Sequence, residues 1–147
     1  MTRPTEDVSP LVPRLLLAGL SVTAVLVLTL APRSLVAPAR GVFMALADRL
    51  AAPVVAGLGA WQLESALNAL LFVPLGAALT LLLGRRLWLL APLLGFVLSF
   101  GVEYAQVRIP GRVPDLQDVW WNTLGAAAGA VAASLLLRRG AGRRRAG

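Results

Sequence analysis

Residues 103–129, EYAQVRIPGRVPDLQDVWWNTLGAAAG, decide the fold because they place a cluster of polar side chains between two strongly apolar segments. The centre of this stretch, IPGRVP at 109–114, has two prolines and one glycine and predicts a turn. Charged side chains between apolar segments are unfavourable unless they are paired or hydrated. The stretch therefore predicts two antiparallel helices joined by a short turn, with any functional site close to that turn.

The composition of the whole chain is typical of an integral membrane protein. Of its 147 residues 58% are hydrophobic, and the mean hydropathy is +0.77. Because a helix needs about 20 residues to cross a bilayer, the chain has room for about four such helices and for no separate soluble domain. We predict an all-α bundle of about four transmembrane helices, multi-pass in the cell membrane.

The sequence contains neither cysteine nor histidine, which narrows its chemistry. Ser-His and Cys-His nucleophilic pairs, disulfides and zinc sites built on thiolate or imidazole are excluded. We expect no cofactor, and any reaction would use carboxylates, arginines, amides or hydroxyls. The composition leaves open whether the protein is an enzyme.

The first apolar run, 15–31, predicts a transmembrane helix. The residues before it, 1–14, include three prolines and predict a non-helical cytoplasmic segment. The alternative is a signal peptide cleaved near 37–39. The run is long for a signal peptide, whose apolar part has about 7 to 15 residues, so we favour a retained helix.

Residues 32–62 are mixed in character and predict an extracytoplasmic segment, because three prolines interrupt any continuous span. Phe43, Leu46 and Leu50 recur at helical spacing among charged residues. They indicate a short helix lying at the membrane interface, with a plain surface loop as the alternative.

The remaining core, 65–137, divides into three predicted spans at 65–83, 87–104 and 119–137. Pro74 lies inside the first of these and predicts a kink. The last span is followed by an arginine-rich tail, 138–147.

The charge distribution predicts that both termini are cytoplasmic. In that orientation the arginines and acids outside the membrane balance, and the whole net charge of +7 lies on the inner side. The arginine-rich tail is then a topology signal and a contact for anionic membrane lipids, and nucleic acid is not an expected partner. The stretch 103–129 faces the extracytoplasmic side.

The polar residues of this stretch follow helical spacing. Glu103 and Gln106 share one face of a helix. On the next helix a stripe of positions spaced 3, 4, 3 and 4 residues apart begins with acids and ends with glycines. The glycines form a small-xxx-small pattern that lets another backbone approach, and the short turn predicts that the third and fourth spans are neighbours. The stripe consists of Asp115, Asp118, Asn122, Gly125 and Gly129.

The sequence resembles the signature of the VanZ-like family of integral membrane proteins. From Glu103 to Gly129 it reads E-x2-Q-x5-R-x2-D-x2-D-x3-N-x2-G-x3-G. The earlier segment NALLFVPLG is similar to the one that precedes the signature in many members, and the resemblance covers about 65–137. The matching residues of that earlier segment are Asn68, Phe72, Pro74 and Gly76.

The resemblance implies a small multi-helix protein of the cell membrane. The protein that gave the family its name is associated with resistance to the glycopeptide antibiotic teicoplanin. Some members carry a lysine or histidine ahead of the second span. This chain has neither residue, so the resemblance implies no proton relay through such a group here.

Three hypotheses follow for the polar stretch. In the first, Arg112 holds the phosphate or carboxylate of an anionic, lipid-linked envelope precursor by paired hydrogen bonds, while Glu103 or Asp118 accepts a proton or binds an amine. In the second, the same charges only fix the helical hairpin of a structural or interaction module, with Arg108 and Arg112 as counter-charges. In the third, the acids bind Mg²⁺, Mn²⁺ or Ca²⁺, which we favour least.

We group the candidate residues by their predicted roles. The candidate catalytic groups are Glu103 and Asp118. The candidate ligand-binding residues are Glu103, Gln106, Arg112, Asp115, Asp118, Asn122 and Asn68. The predicted helix-packing residues are Gly125, Gly129, Pro74 and Gly76.

Overall fold

The structure is a computed structural model of the chain, and the part that it describes is helical, with no strands. The helices are α1 (Leu11–Leu30), α2 (Ala60–Leu83), α3 (Leu90–Gln106) and α4 (Leu116–Arg143). The described residues are 11–32, 34–38, 41–42, 45–46, 49, 60–109 and 115–143.

Three helices are long and apolar enough to cross a membrane. They are Leu11–Leu30, Ser65–Leu83 and Leu116–Arg138. Helix α3 is apolar but has only 17 residues. At 1.5 Å per residue it is about 25 Å long, somewhat less than the ~30 Å of a typical hydrocarbon core. The all-α prediction is confirmed for the described residues, and three of their helices are candidate membrane spans.

Helix α1 begins earlier than the sequence indicated. The prolines of 1–14 predicted no helix there, but the helix starts at Leu11 and includes Pro13. Proline is tolerated in the first turn of a helix because the backbone N–H that it lacks would have no partner within the helix. The prediction was therefore wrong for residues 11–14, and residues 1–10 lie outside the described part.

Between residue 32 and α2 the chain is described only at 34–38, 41–42, 45–46 and 49, and these residues are helical. Leu46 is 51% exposed, whereas Phe43 and Leu50 lie outside the described residues. A position of this segment at the membrane interface stays a prediction.

Helices α2 and α4 make the most extensive contact in the bundle. A methyl group added to Gly125 would overlap the backbone carbonyl of Ala69, and one added to Gly129 would overlap the carbonyl of Val73. These pairs advance together along both helices, so α2 and α4 run in the same direction with their backbones touching.

Gly76 completes this close approach from the other side. A side chain there would overlap the backbone of Ala126, and a Cβ on Gly95 of α3 would lie 2.6 Å from the Cβ of Ala126. Ala126 is fully buried between the three helices. We call the approach of Gly76, Gly125 and Gly129 to the opposing backbone the glycine contact. In a membrane such packing is favoured by van der Waals contact, because lipid chains are as apolar as the side chains.

The first helix packs onto this pair through its buried side. Val25 forms a cluster with Phe72, Leu75 and Ala126, all of which are completely buried, and Leu98 of α3 packs against it. Hydrogen bonds place the C-terminal ends of α1 and α3 at the same end of the bundle as the N-terminal ends of α2 and α4. We call this the polar end, because it carries the site described next.

Candidate functional site

Asp115 starts helix α4. Its Oδ1 accepts a hydrogen bond from the backbone N–H of Gln117 at 2.8 Å, and its carbonyl accepts one from Asp118 N–H at 3.0 Å. Aspartate is favoured at this position because the first N–H groups of a helix have no partner within the helix. Asp115 is exposed, so this cap lies on the surface of the polar end.

Glu103 ties the end of α3 to this cap. Its Oε2 accepts a hydrogen bond from the backbone N–H of Asp115 at 2.9 Å, and its side chain is buried. A carboxylate in the last turn of a helix is disfavoured by the negative end of the helix dipole. The N-terminal end of α4 compensates by supplying a donor, and hydrogen bonds to a charged acceptor are stronger than neutral ones.

Asp118 joins α4 to α2. Its Oδ1 accepts from the Ser65 hydroxyl at 3.2 Å, and its Oδ2 accepts from the Asn68 amide at 2.9 Å. Ser65 is buried, and Asp118 and Asn68 are half-buried. An acid in the first turn of a helix is stabilised by the positive end of the dipole, so Asp118 suits this position.

Gln106 reaches the first helix. Its Nε2 donates to the backbone carbonyl of Thr29 at 3.1 Å, and both residues are buried. The last four carbonyls of a helix have no partner within the helix, so the Gln106 amide satisfies one of those of α1. All four helices are thus connected at the polar end by hydrogen bonds from polar side chains.

Asn122 lies one turn deeper. Its Nδ2 donates to the Ser99 hydroxyl at 2.9 Å, and neither side chain is more than 2% exposed. Its Oδ1 is buried without a hydrogen-bond partner among the described residues. Asn122 therefore connects α4 to α3, whereas Asp118, one turn earlier in the predicted stripe, connects α4 to α2.

The structure brings most of the predicted site residues together. Glu103, Gln106, Asp115, Asp118 and Asn68 lie at the polar end, with Asn122 just below. We call these six residues the polar cluster. Arg112 lies outside the described residues.

Three helix partners of the cluster were missed by the sequence reasoning. Ser65 and Ser99 lie three and four residues before the predicted site residues Asn68 and Glu103, so helical spacing could have indicated them. Thr29 takes part through its backbone carbonyl, which its residue type does not reveal.

The structure differs from the sequence predictions at Pro74 and Arg108. Pro74, grouped with the packing glycines, is exposed on the outer side of α2 and does not belong to the glycine contact. Arg108, expected as a counter-charge, has its Cζ 5.1 Å from the centroid of the Tyr104 ring. In the part of the chain that the structure describes, no three acids are grouped so that they could hold a metal ion.

The sequence model of the VanZ/LLP1 family matches residues 19–137. The chain belongs to the VanZ/LLP1 family. The matched range includes the whole polar cluster, the glycine contact and most of α1, and it confirms the resemblance that the sequence motif indicated. Neither the curated proteins nor the solved structures contain a match to this VanZ/LLP1 chain.

Proposed function

We propose that this VanZ/LLP1 membrane protein binds the anionic headgroup of an amphiphile, such as a lipid-linked cell-envelope precursor, at its polar end. The observation that carries the proposal is the concentration of polar groups there: two carboxylates and two amides, contributed by α2, α3 and α4, meet beside the end of α1. Polar groups inside a membrane protein are unfavourable, and they commonly mark a binding site or pathway. On the predicted topology, this end faces the extracytoplasmic side of the cell membrane.

The roles divide by charge. Arg112, which lies between α3 and α4 in the sequence, supplies a guanidinium that pairs with phosphate through two hydrogen bonds. Asp115 is exposed and Asp118 is half-buried, so their carboxylates suit the hydroxyl or amine groups of the same headgroup. The ligand is thus an amphiphile whose headgroup combines an anion with hydrogen-bond donors.

Mass spectrometry of the native protein in a mild detergent tests this proposal. We expect an anionic, lipid-linked envelope component to be purified with the wild-type chain and to be lost from Arg112→Ala, whether or not a phospholipid is held elsewhere on the chain. Arg112→Lys should also bind it weakly, because an ammonium cannot reproduce the paired hydrogen bonds. Arg86→Ala is the matched control, since Arg86 is exposed between α2 and α3, at the opposite end of the bundle. Unchanged lipid retention by Arg112→Ala would count against binding at the polar end.

A structural role is the second candidate, and the hydrogen bonds of the two inner acids favour it. Glu103 accepts from Asp115 N–H, and Asp118 accepts from Ser65 and Asn68, so both carboxylates hold helices together. On this hypothesis Glu103→Gln and Asp118→Asn lower the thermal stability and the abundance of the protein in membranes. If both variants keep full stability but lose lipid binding, the structural hypothesis fails.

The link to teicoplanin resistance is part of the proposal, because binding a lipid-linked precursor would act on the same envelope chemistry as a glycopeptide. Expression in a susceptible bacterium should raise the inhibitory concentration of teicoplanin, and Arg112→Ala should abolish the increase. An equal inhibitory concentration with and without the protein would remove this link and leave the binding proposal to the mass spectrometry.

A further inference from the structure

A ridge of large side chains runs along the exposed side of α3. Phe96, Phe100 and Tyr104 follow one another at four-residue spacing and are 40%, 52% and 61% exposed. The rings of Phe96 and Phe100 are stacked, with centroids 6.3 Å apart and an interplanar angle of 23°. Arg108 continues the spacing just beyond the helix and is also exposed. Residues four apart on a helix are neighbours, so these side chains form a continuous ridge.

At the upper end of the ridge, the Arg108 guanidinium lies over the face of the Tyr104 ring. The Cζ of Arg108 lies 5.1 Å from the centroid of the Tyr104 ring, within the range of a cation–π contact. This contact keeps the guanidinium beside the helix while its planar set of N–H donors suits a phosphate. Glu103 is buried on the inner side of α3, where it accepts from Asp115, so its charge does not lie on the exposed ridge.

The middle of the ridge offers space beside the rings. Gly101 is exposed, and a Cβ built on it would meet nothing within 4 Å. Its helical neighbours on the surface are Val97 and Tyr104, both more than half exposed. The missing side chain therefore leaves a shallow notch beside the ridge, of the kind that a hydrocarbon chain fills.

The length of the ridge matches one leaflet of a bilayer. Ten residues separate Phe96 from the end of α3 at Gln106, which is about 15 Å at 1.5 Å per residue, or half of a ~30 Å hydrocarbon core. The ridge places a cation at headgroup level, a tyrosine at the interface and phenylalanines toward the bilayer centre. This order matches the phosphate, the interfacial region and the acyl chains of a single lipid molecule.

We propose that the surface formed by Phe96, Phe100, Gly101, Tyr104 and Arg108 binds one anionic phospholipid, with its phosphate on Arg108 and an acyl chain in the notch at Gly101. A second copy of the chain fits less well, because helix pairing in membranes favours small residues in contact, and this surface is built from large ones. The site is separate from the polar cluster and does not depend on its ligand.

Titration of the delipidated protein with phosphatidylglycerol, followed by native mass spectrometry, tests the site. We expect one tightly retained phosphatidylglycerol per chain, weaker retention of zwitterionic phosphatidylcholine, and no displacement by inorganic phosphate. Arg108→Gln should weaken the retention about fivefold, which corresponds to the ~1 kcal/mol of one basic side chain near an anionic surface. Arg86→Gln, at an exposed residue between α2 and α3 at the other end of the bundle, should retain the lipid as the wild type does.

Two further variants separate this site from a general charge effect. Arg108→Lys keeps the charge but loses the planar group on the tyrosine ring, so it should also bind more weakly. Gly101→Leu fills the notch from a Cβ position that meets nothing within 4 Å, and it should weaken binding while the helix content and melting temperature are kept.

Equal phosphatidylglycerol retention by the wild type, Arg108→Gln and Gly101→Leu would overturn the proposal. So would equal retention of phosphatidylcholine, or a dimer without bound lipid that Phe100→Ala dissociates. Because Arg112 is not one of the five residues proposed to form this surface, a failure here leaves the lipid test of Arg112→Ala unaffected.

Discussion

At the polar end, α2 and α4 are joined through side chains, with Asp118 accepting hydrogen bonds from Ser65 and Asn68. Farther along the same two helices they are joined through their backbones, at Gly125 and Gly129. The glycine contact uses no charge and needs only the absence of side chains. The polar end adds the half-buried carboxylate of Asp118 to a helix pair that the glycines already hold together. This difference is why we place stability mainly in the glycine contact and ligand binding at the polar end.

The largest effect on stability is expected at Gly129. Gly129→Ala introduces a Cβ that overlaps the carbonyl of Val73, so α2 and α4 must separate. Overpacking of this kind costs about 1–3 kcal/mol. We expect a clear fall in the melting temperature, measured by circular dichroism in a mild detergent.

Gly101→Ala is the matched control for that variant. Its Cβ meets nothing within 4 Å, and alanine favours a helix by about 1 kcal/mol over glycine. The control should therefore melt at the same temperature as the wild type or higher. Equal destabilisation by the two substitutions would show that the glycine contact does not hold the bundle.

An intermediate effect is expected at Asp118. Asp118→Ala removes the carboxylate that accepts hydrogen bonds from Ser65 and Asn68, so both donors lose their partner. The free energy of unfolding should fall by about 1–3 kcal/mol. Asp115→Ala removes only an exposed helix cap, for which about 1 kcal/mol is typical. Asp118→Ala should have a lower melting temperature than Asp115→Ala. The reverse order would contradict the role of Asp118 in joining α4 to α2.

The smallest effect is expected at the buried pair below the polar end. A double-mutant cycle with Asn122→Ala and Ser99→Ala measures the coupling of their hydrogen bond. Hydrogen bonds between membrane helices average about 0.6 kcal/mol in such cycles. A coupling energy near zero would mean that the hydrogen bond between Asn122 and Ser99 does not stabilise the bundle.

The sequence predicted the helical character and the family correctly, because apolar runs and motif spacing are local properties of the chain. The prediction from the short turn that the third and fourth spans are neighbours is confirmed, since Glu103 of α3 accepts a hydrogen bond from the backbone of Asp115. The sequence did not show that the most extensive contact of α4 is with α2, which its glycines face. Loop length gives no information on contacts between helices that do not follow each other in the chain.

The stripe on α4 shows the same limit at the level of single residues. Helical spacing places Asp118 and Asn122 on one side of α4, yet Asp118 bonds to α2 and Asn122 bonds to α3. A helix in a bundle touches two neighbours along one side, so a common face does not imply a common partner. The backbone carbonyl that Gln106 caps on α1 could not be found from residue types at all.

The central claim is that the polar end binds an anionic amphiphile through Arg112. Titration of a polyprenyl pyrophosphate into the detergent-solubilised protein, followed by native mass spectrometry, tests it most directly. We predict one bound lipid per chain for the wild type and for Arg86→Ala. Arg112→Ala should bind about 10- to 100-fold more weakly, corresponding to the ~1.5–3 kcal/mol of hydrogen bonds to a charged group. Equal binding by all three proteins would contradict the account.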